Sequence, residues 1–152
     1  MLSSISIKDA VESVSAVVAT LGFLFGLFKF RDAIAIRRYE KFHEMSVRFD
    51  GDESIQAVCK LLNADIADES VNKQQKEVFI CFLEEISFMA ASGIMRKEVA
   101  LYTFGYYARR AHESAPFWRG LQKDHKFYAR FREFCKEATD YKPSSRPRAF
   151  RF

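Results

Sequence analysis

Residues that build compact chemical sites are scarce in this sequence: three Cys, three His, three Pro and six Gly among 152 residues. The cysteines, Cys59, Cys81 and Cys135, are odd in number and widely spaced. That excludes a disulfide framework and a zinc pattern, and it suits a reducing compartment. The glycine-rich signatures of nucleotide sites are missing, as are HExxH and CxxC, so no cofactor and no metal is expected. No segment alternates apolar and polar residues with period two, which excludes half-buried strands.

Charge is also absent from residues 13–28, within the stretch VESVSAVVATLGFLFGLFKF at 11–30. Sixteen helical residues extend about 24 Å and twenty about 30 Å, the thickness of a bilayer core. Lys29 has a stem long enough to carry its ammonium to the interface. The stretch predicts a transmembrane helix, against the plainer alternative of a helix buried in a soluble assembly. At about 100° per residue, Ser15, Ala19, Gly22 and Gly26 fall in one narrow sector, with Val14, Val17, Leu21, Leu24, Leu27 and Phe28 around the rest. Gly22 and Gly26 form a small-xxx-small pair, the spacing that lets membrane helices approach at backbone distance. These four small residues are the expected helix–helix interface. The first residues pair Lys8 with Asp9 and Glu12, so the positive n-region of a signal peptide is missing. Positive charge gathers instead at Lys29, Arg31, Arg37, Arg38 and Lys41, which puts the N-terminus outside and the bulk of the chain in the cytoplasm. Lys29, Arg31, Arg37 and Arg38 are the expected membrane anchors.

The rest reads as an all-α protein. Asp9 is placed to cap the membrane helix, and apolar residues at three- and four-residue steps carry that helix on to Phe49 as a projecting stalk. Asp50-Gly51-Asp52 is a turn signal. Ser54 is then placed to cap a helix through Leu62 that turns Ile55, Val58, Cys59 and Leu62 inward. Residues 65–69 form a polar break. Ser70 opens a helix whose stripe is Val78, Phe79, Phe82, Leu83, Ile86 and Met89, with Gly93 at its C-cap. A helix over 97–113 is apolar on two sides, with Val99, Tyr102 and Tyr106 on one and Leu101, Phe104 and Ala108 on another. Pro116 breaks it at Ala115. The last helix, 124–140, sets Phe127, Tyr128, Phe131, Phe134, Cys135 and Ala138 against a charged face. Residues 142–152 read as a basic flexible tail suited to anionic lipid or to RNA, or simply solvated. The expected organisation is membrane helix and stalk at 1–49, a cytoplasmic helical bundle at 50–141, and the tail. Sixteen Phe and six Tyr exceed what one small domain buries, so some of that surface should meet lipid or another subunit.

One enzymatic pattern occurs. The R-x4-6-H spacing of HEPN ribonucleases appears at Arg38–His43 (Arg37 also fits) and at Arg119–His125. In such a site His acts as general acid or base and Arg holds the phosphate. Gly120 stands where those enzymes carry a polar residue after the Arg.

The segment FLEEISFMAASGIMRKEVALYTFGYYARR at 82–110, followed by FWRGL and FYARFREF, resembles the membrane accessory proteins of type VI-B CRISPR systems and related bacterial single-pass helical proteins. The resemblance implies a HEPN-like bundle behind one membrane helix in a bacterial inner membrane. It further implies a ring-shaped homo-oligomeric pore without enzymatic activity that strengthens RNA-guided antiviral defence beside a cytoplasmic nuclease. The HEPN pair would carry over only to Arg119 and His125. The alternatives are a membrane-tethered binding module without a pore, and a membrane-bound ribonuclease. No small-molecule substrate is expected.

Overall fold

The computed structural model describes residues 7–64 and 71–142. The six α-helices and a 3-10 turn there confirm the all-α class, with no strand among the described residues. The first helix, α1, runs from Ile7–Gly51 without a break. At 1.5 Å per residue its 45 residues extend about 67 Å. Asp9 lies inside this helix rather than at its cap, because the helix has already begun at Ile7. The expected tail and the break at 65–69 fall outside the described residues.

The chain divides into two compact units between Arg37 and Arg38. In the first, side chains from Val14 to Ala33 are exposed. Thr20 turns its hydroxyl back onto Ala16 O at 2.8 Å, so the one Thr of the apolar stretch satisfies its own donor. Lys29 lies 5.7 Å from the Phe25 ring.

The second unit corrects the expected stalk. It begins at Arg38 and not at Asp50, because the last turns of α1 form one wall of the bundle. Met45 is 2% exposed. Phe49 packs its ring 5.7 Å from Phe82, 5.5 Å from Phe104 and 5.2 Å from Tyr107. After α1 come α2 (Glu53–Ala64), α3 (Lys73–Ala91), α4 (Lys97–Glu113), the single-turn α5 (Ala115–Trp118) and α6 (Ala129–Asp140), the last preceded by a 3-10 turn at Lys126–Tyr128. Helix α4 is central, packing on α2, α3, α5 and α6. Its expected side of Leu101, Phe104 and Ala108 is buried, whereas on the other side only Val99 is buried and Tyr102 and Tyr106 are exposed, at 60% and 47%. Where α4 meets α6, Gly105 faces Ala138: a Cβ at 105 would stand 3.3 Å from the Ala138 Cβ.

Helix starts follow the caps. Asp52, not Ser54, caps α2, with its Oδ1 accepting from Ser54 N at 2.9 Å and Ile55 N at 3.2 Å. Asn72 caps α3 through a capping box with Gln75, and Ser70, the expected start, falls outside the described residues. Of the predicted inward faces, Ile55, Val58, Cys59, Leu62, Phe79, Phe82, Leu83 and Ile86 are buried, and Val78 and Met89 are half-buried against the core. Gly93 takes φ +74° just after the Ser92 C-cap. Helix α4 ends at Glu113, and the break falls at Ser114, whose extended backbone stops α4 while its Oγ caps α5.

The largest departure is at the last helix. It starts at Ala129 instead of 124, because His125 opens a 3-10 turn and shifts 126–128 out of α-helical register. Phe127, expected on the apolar stripe, is therefore 71% exposed, whereas Phe131, Phe134, Cys135 and Ala138 are buried as expected. No side chain of its own turn caps α6. Glu84 of α3 supplies the acceptor instead, taking the Phe131 N–H at 3.1 Å. Burial raises the Glu84 pKa, and this hydrogen bond partly opposes the shift.

Candidate functional site

Two features bear on function: the apolar part of α1, and the segment between α4 and α6 that carries the Arg–His spacing.

Residues 14–51 of α1 form a helix long and apolar enough to cross a membrane, with a mean hydropathy of 1.6 in its best window and none of that window buried. Large side chains stand open around the whole circumference: Val14, Val18, Leu21, Phe23, Phe25 and Phe28 are each more than half exposed, Phe28 at 65%. A helix apolar on all sides is stable in lipid or inside an assembly, because water solvates no part of it well. Ser15, Ala19, Gly22 and Gly26 are exposed on the same helix, and a Cβ built at either glycine meets nothing within 4 Å. The four positions lie within about 60° of one another at 100° per residue. Among the four expected anchors, Lys29, Arg31 and Arg37 are exposed. Arg38 belongs to the bundle, where its Nε donates to Gly93 O at 3.1 Å. His43, about three and a half turns past Phe30, stacks on Tyr39, with rings 6.2 Å apart and nearly parallel.

Between α4 and α6 the chain makes a tight turn. Arg119 is extended and Gly120 has φ +81°, and Leu121 N–H reaches Trp118 O at 2.9 Å. A left-handed residue is needed at the second central position of such a turn, so Gly120 answers a backbone demand, and a polar side chain there would be strained. The Arg119 side chain is exposed and lines an open depression with Glu113, Ala115, Pro116, Trp118 and Lys123. Its carbonyl and that of Pro116 accept from Lys76 Nζ, at 2.9 and 3.1 Å. Lys76 is 6% exposed, and burial followed by the nearby Arg119 charge lowers its pKa.

His125 has a structural task. Its Nδ1 accepts the Phe127 N–H at 3.3 Å, and its ring lies 4.9 Å from Phe127 and 5.9 Å from Tyr128. Its carbonyl accepts from Arg132 at 2.9 Å. No hydrogen bond, ion pair or ring contact joins Arg119 to His125. The third histidine, His112, accepts at its carbonyl from Trp118 Nε1 and Lys123 Nζ, and burial lowers its pKa.

Among the described residues no three His, Cys, Asp or Glu are grouped to hold a metal ion. Cys59 and Cys135 are buried, and burial pushes both thiols up to about 12; Cys81 is exposed. No protein-family model, curated protein or solved structure matches the chain. Function is therefore read from the residues themselves.

Sequence reasoning missed Lys76. Lys76 gives no local signal, since a lysine in the second turn of an amphipathic helix normally faces water.

Proposed function

We propose that the chain is a single-pass membrane protein that works as a homo-oligomeric, membrane-permeabilising assembly with its helical bundle in the cytoplasm. The observation that carries this reading is the apolar, uncharged and wholly exposed segment of α1 from Val14 to Phe28. Partners within the unit do not cover it, and lipid or copies of the same helix satisfy it. The stripe of Ser15, Ala19, Gly22 and Gly26 favours copies on one side and lipid on the others, because close backbone approach supplies association energy where no hydrophobic effect acts between helices. The basic residues after Phe28 favour a cytoplasmic bundle and an inner bacterial membrane. The antiviral, RNA-guided setting rests on the resemblance of 82–110, 117–121 and 127–134 to the type VI-B accessory proteins. A mechanical and not a catalytic role is supported by His125, whose Nδ1 is engaged as a backbone cap.

Electron microscopy of the detergent-purified protein tests the reading. A closed ring with an axial hole supports it. A monomer or dimer replaces it with a tethered binding module. Gly22→Ile with Gly26→Ile is expected to lower the oligomer order and the dye leakage from vesicles, while Leu24→Ile leaves both unchanged. Equal assembly and leakage in the double variant rules out the stripe as the interface.

A further inference from the structure

The side of α4 turned away from the core presents one stripe. At about 100° per residue Glu98, Tyr102, Tyr106, Arg109 and Glu113 fall within about 80° of one another, and all five are exposed. Tyr102 is 60% exposed and Tyr106 47%, while Leu101, Phe104 and Ala108 are buried on the opposite side of the same helix. Two tyrosines one turn apart at the middle of a surface helix offer large, rigid rings with a polar tip, the side chains that contact surfaces favour.

The charges around them are ordered. Along the chain Arg96, the exposed N-cap residue, is positive, Glu98 negative, Arg109 positive and Glu113 negative, with the two tyrosines between the second and the third. Reversal turns this order into its own electrostatic complement. In an antiparallel pair of α4 helices centred on residue 104, Arg96 meets Glu113, Glu98 meets Arg109 and Tyr102 meets Tyr106, each pair level to within about 1.5 Å along the axis. A parallel pair would set every charge against its like. None of these four side chains is engaged inside the bundle by an ion pair among the described residues. Their neighbours off the stripe are engaged: Lys97 pairs with Glu137 at 2.7 Å, and Arg110 donates to the Leu62 carbonyl.

We propose that the Tyr102–Tyr106 face of α4 binds the same face of a second copy of this chain as a two-fold, antiparallel helix pair. The inference deepens the homo-oligomeric reading and rests on it for the second copy. Such a contact uses one patch on both partners and closes on itself, so it joins the bundles two by two. Assembly beyond a pair then needs another contact, such as the α1 stripe, and a closed ring built from both holds an even number of copies. Exposed ion pairs add little energy, so the four charges fix direction and register while the tyrosines supply the buried surface.

The test uses the full chain in detergent, in a Cys81→Ser background that leaves only the buried Cys59 and Cys135. Two differently tagged chains, one with Tyr102→Cys and one with Tyr106→Cys, are co-expressed and oxidised with copper phenanthroline. The expected result is a disulfide between the two different chains that forms several-fold faster than between copies of either. It should also outpace the disulfide between copies carrying Lys60→Cys, an exposed position on α2. Glu98→Arg on both chains should slow the reaction several-fold, and adding Arg109→Glu should restore it, because the doubly reversed stripe is again its own complement. Trp118 emission and the melting temperature check folding. Crosslinking no faster than at Lys60, in protein that electron microscopy shows as an oligomer, overturns the inference and leaves the homo-oligomeric reading standing. Residue 102 joining residue 102 faster than residue 106, or an effect of Glu98→Arg that Arg109→Glu does not reverse, overturns the antiparallel pair. A monomer without crosslinking overturns both readings.

Discussion

Adding a methyl group at Gly105 tests the closest helix contact in the bundle. Helix propensity alone favours Gly105→Ala by about 1 kcal/mol, since glycine in a helix interior is the costlier residue. The tertiary contact opposes it. The new Cβ would lie 3.3 Å from the Ala138 Cβ and 3.9 Å from both the Ala138 Cα and the Leu101 Cβ. Carbon pairs are most favourable at roughly 3.5–4.0 Å, so α4 and α6 must part by a few tenths of an ångström and loosen the Phe104, Phe131 and Cys135 packing beside them. The expected balance for Gly105→Ala is within about 0.5 kcal/mol of zero. For Gly105→Val, whose branches reach further, overpacking costs about 2–3 kcal/mol. Ala138→Gly restores the space, so the double variant Gly105→Ala with Ala138→Gly should show a favourable coupling of at least about 0.5 kcal/mol. Thermal unfolding in detergent, followed by Trp118 fluorescence, reads these differences at roughly 4 °C per kcal/mol for a unit of this size. A full 1 kcal/mol gain in Gly105→Ala together with a neutral Gly105→Val would refute the α4–α6 packing described above.

Other expectations follow from buried polar and titrating groups. Cys59 and Cys135 hold thiol pKa values raised to about 12 from 9.0, so the unfolded chain ionises first and stability is lost as pH rises from 9 towards 12. The slope is about 1.4 kcal/mol per pH unit per thiol, and Cys135→Ala should flatten the measured midpoint-against-pH curve over that range. In native protein at neutral pH a maleimide should modify Cys81 alone, and denaturant should release the other two cysteines. Lys76→Met leaves the Pro116 and Arg119 carbonyls without their donor and should cost about 1–3 kcal/mol, with faster hydrogen exchange confined to 114–125. Purified protein should not cut RNA, and Arg119→Ala with His125→Ala should lower the biological effect only in step with lost folding. His125→Asn, which preserves a capping acceptor, should recover the melting temperature; cleavage that vanishes in His125→Ala at unchanged stability would instead establish a ribonuclease.

The sequence by itself determined the helices and their inward faces. Periodicity is a local property, so the stripe at 79–86, the Leu101, Phe104 and Ala108 side of the helix at 97–113 and the buried set at 131–138 could be read without a fold, whereas Tyr102 and Tyr106 on that helix's other expected side are exposed. The uncharged stretch at 13–28 was legible for the same reason, since length and hydropathy are sums along the chain. Tertiary structure decided what depends on a distant partner. Residues after Arg38 looked like a stalk because their apolar steps do not say what covers them, and Phe82, Phe104 and Tyr107 turned out to receive Phe49. The start of α6 could not be placed from its own residues, because its capping acceptor is Glu84 on another helix and His125 opens a different turn before it. Lys76 looked solvated until two carbonyls forty and more residues away closed over it. Arg119 and His125 share a spacing in sequence, but a turn with a left-handed glycine lies between them and each answers to a different partner. Spacing fixes which side chains share a helix face, and only the fold fixes which groups meet across the loops between helices.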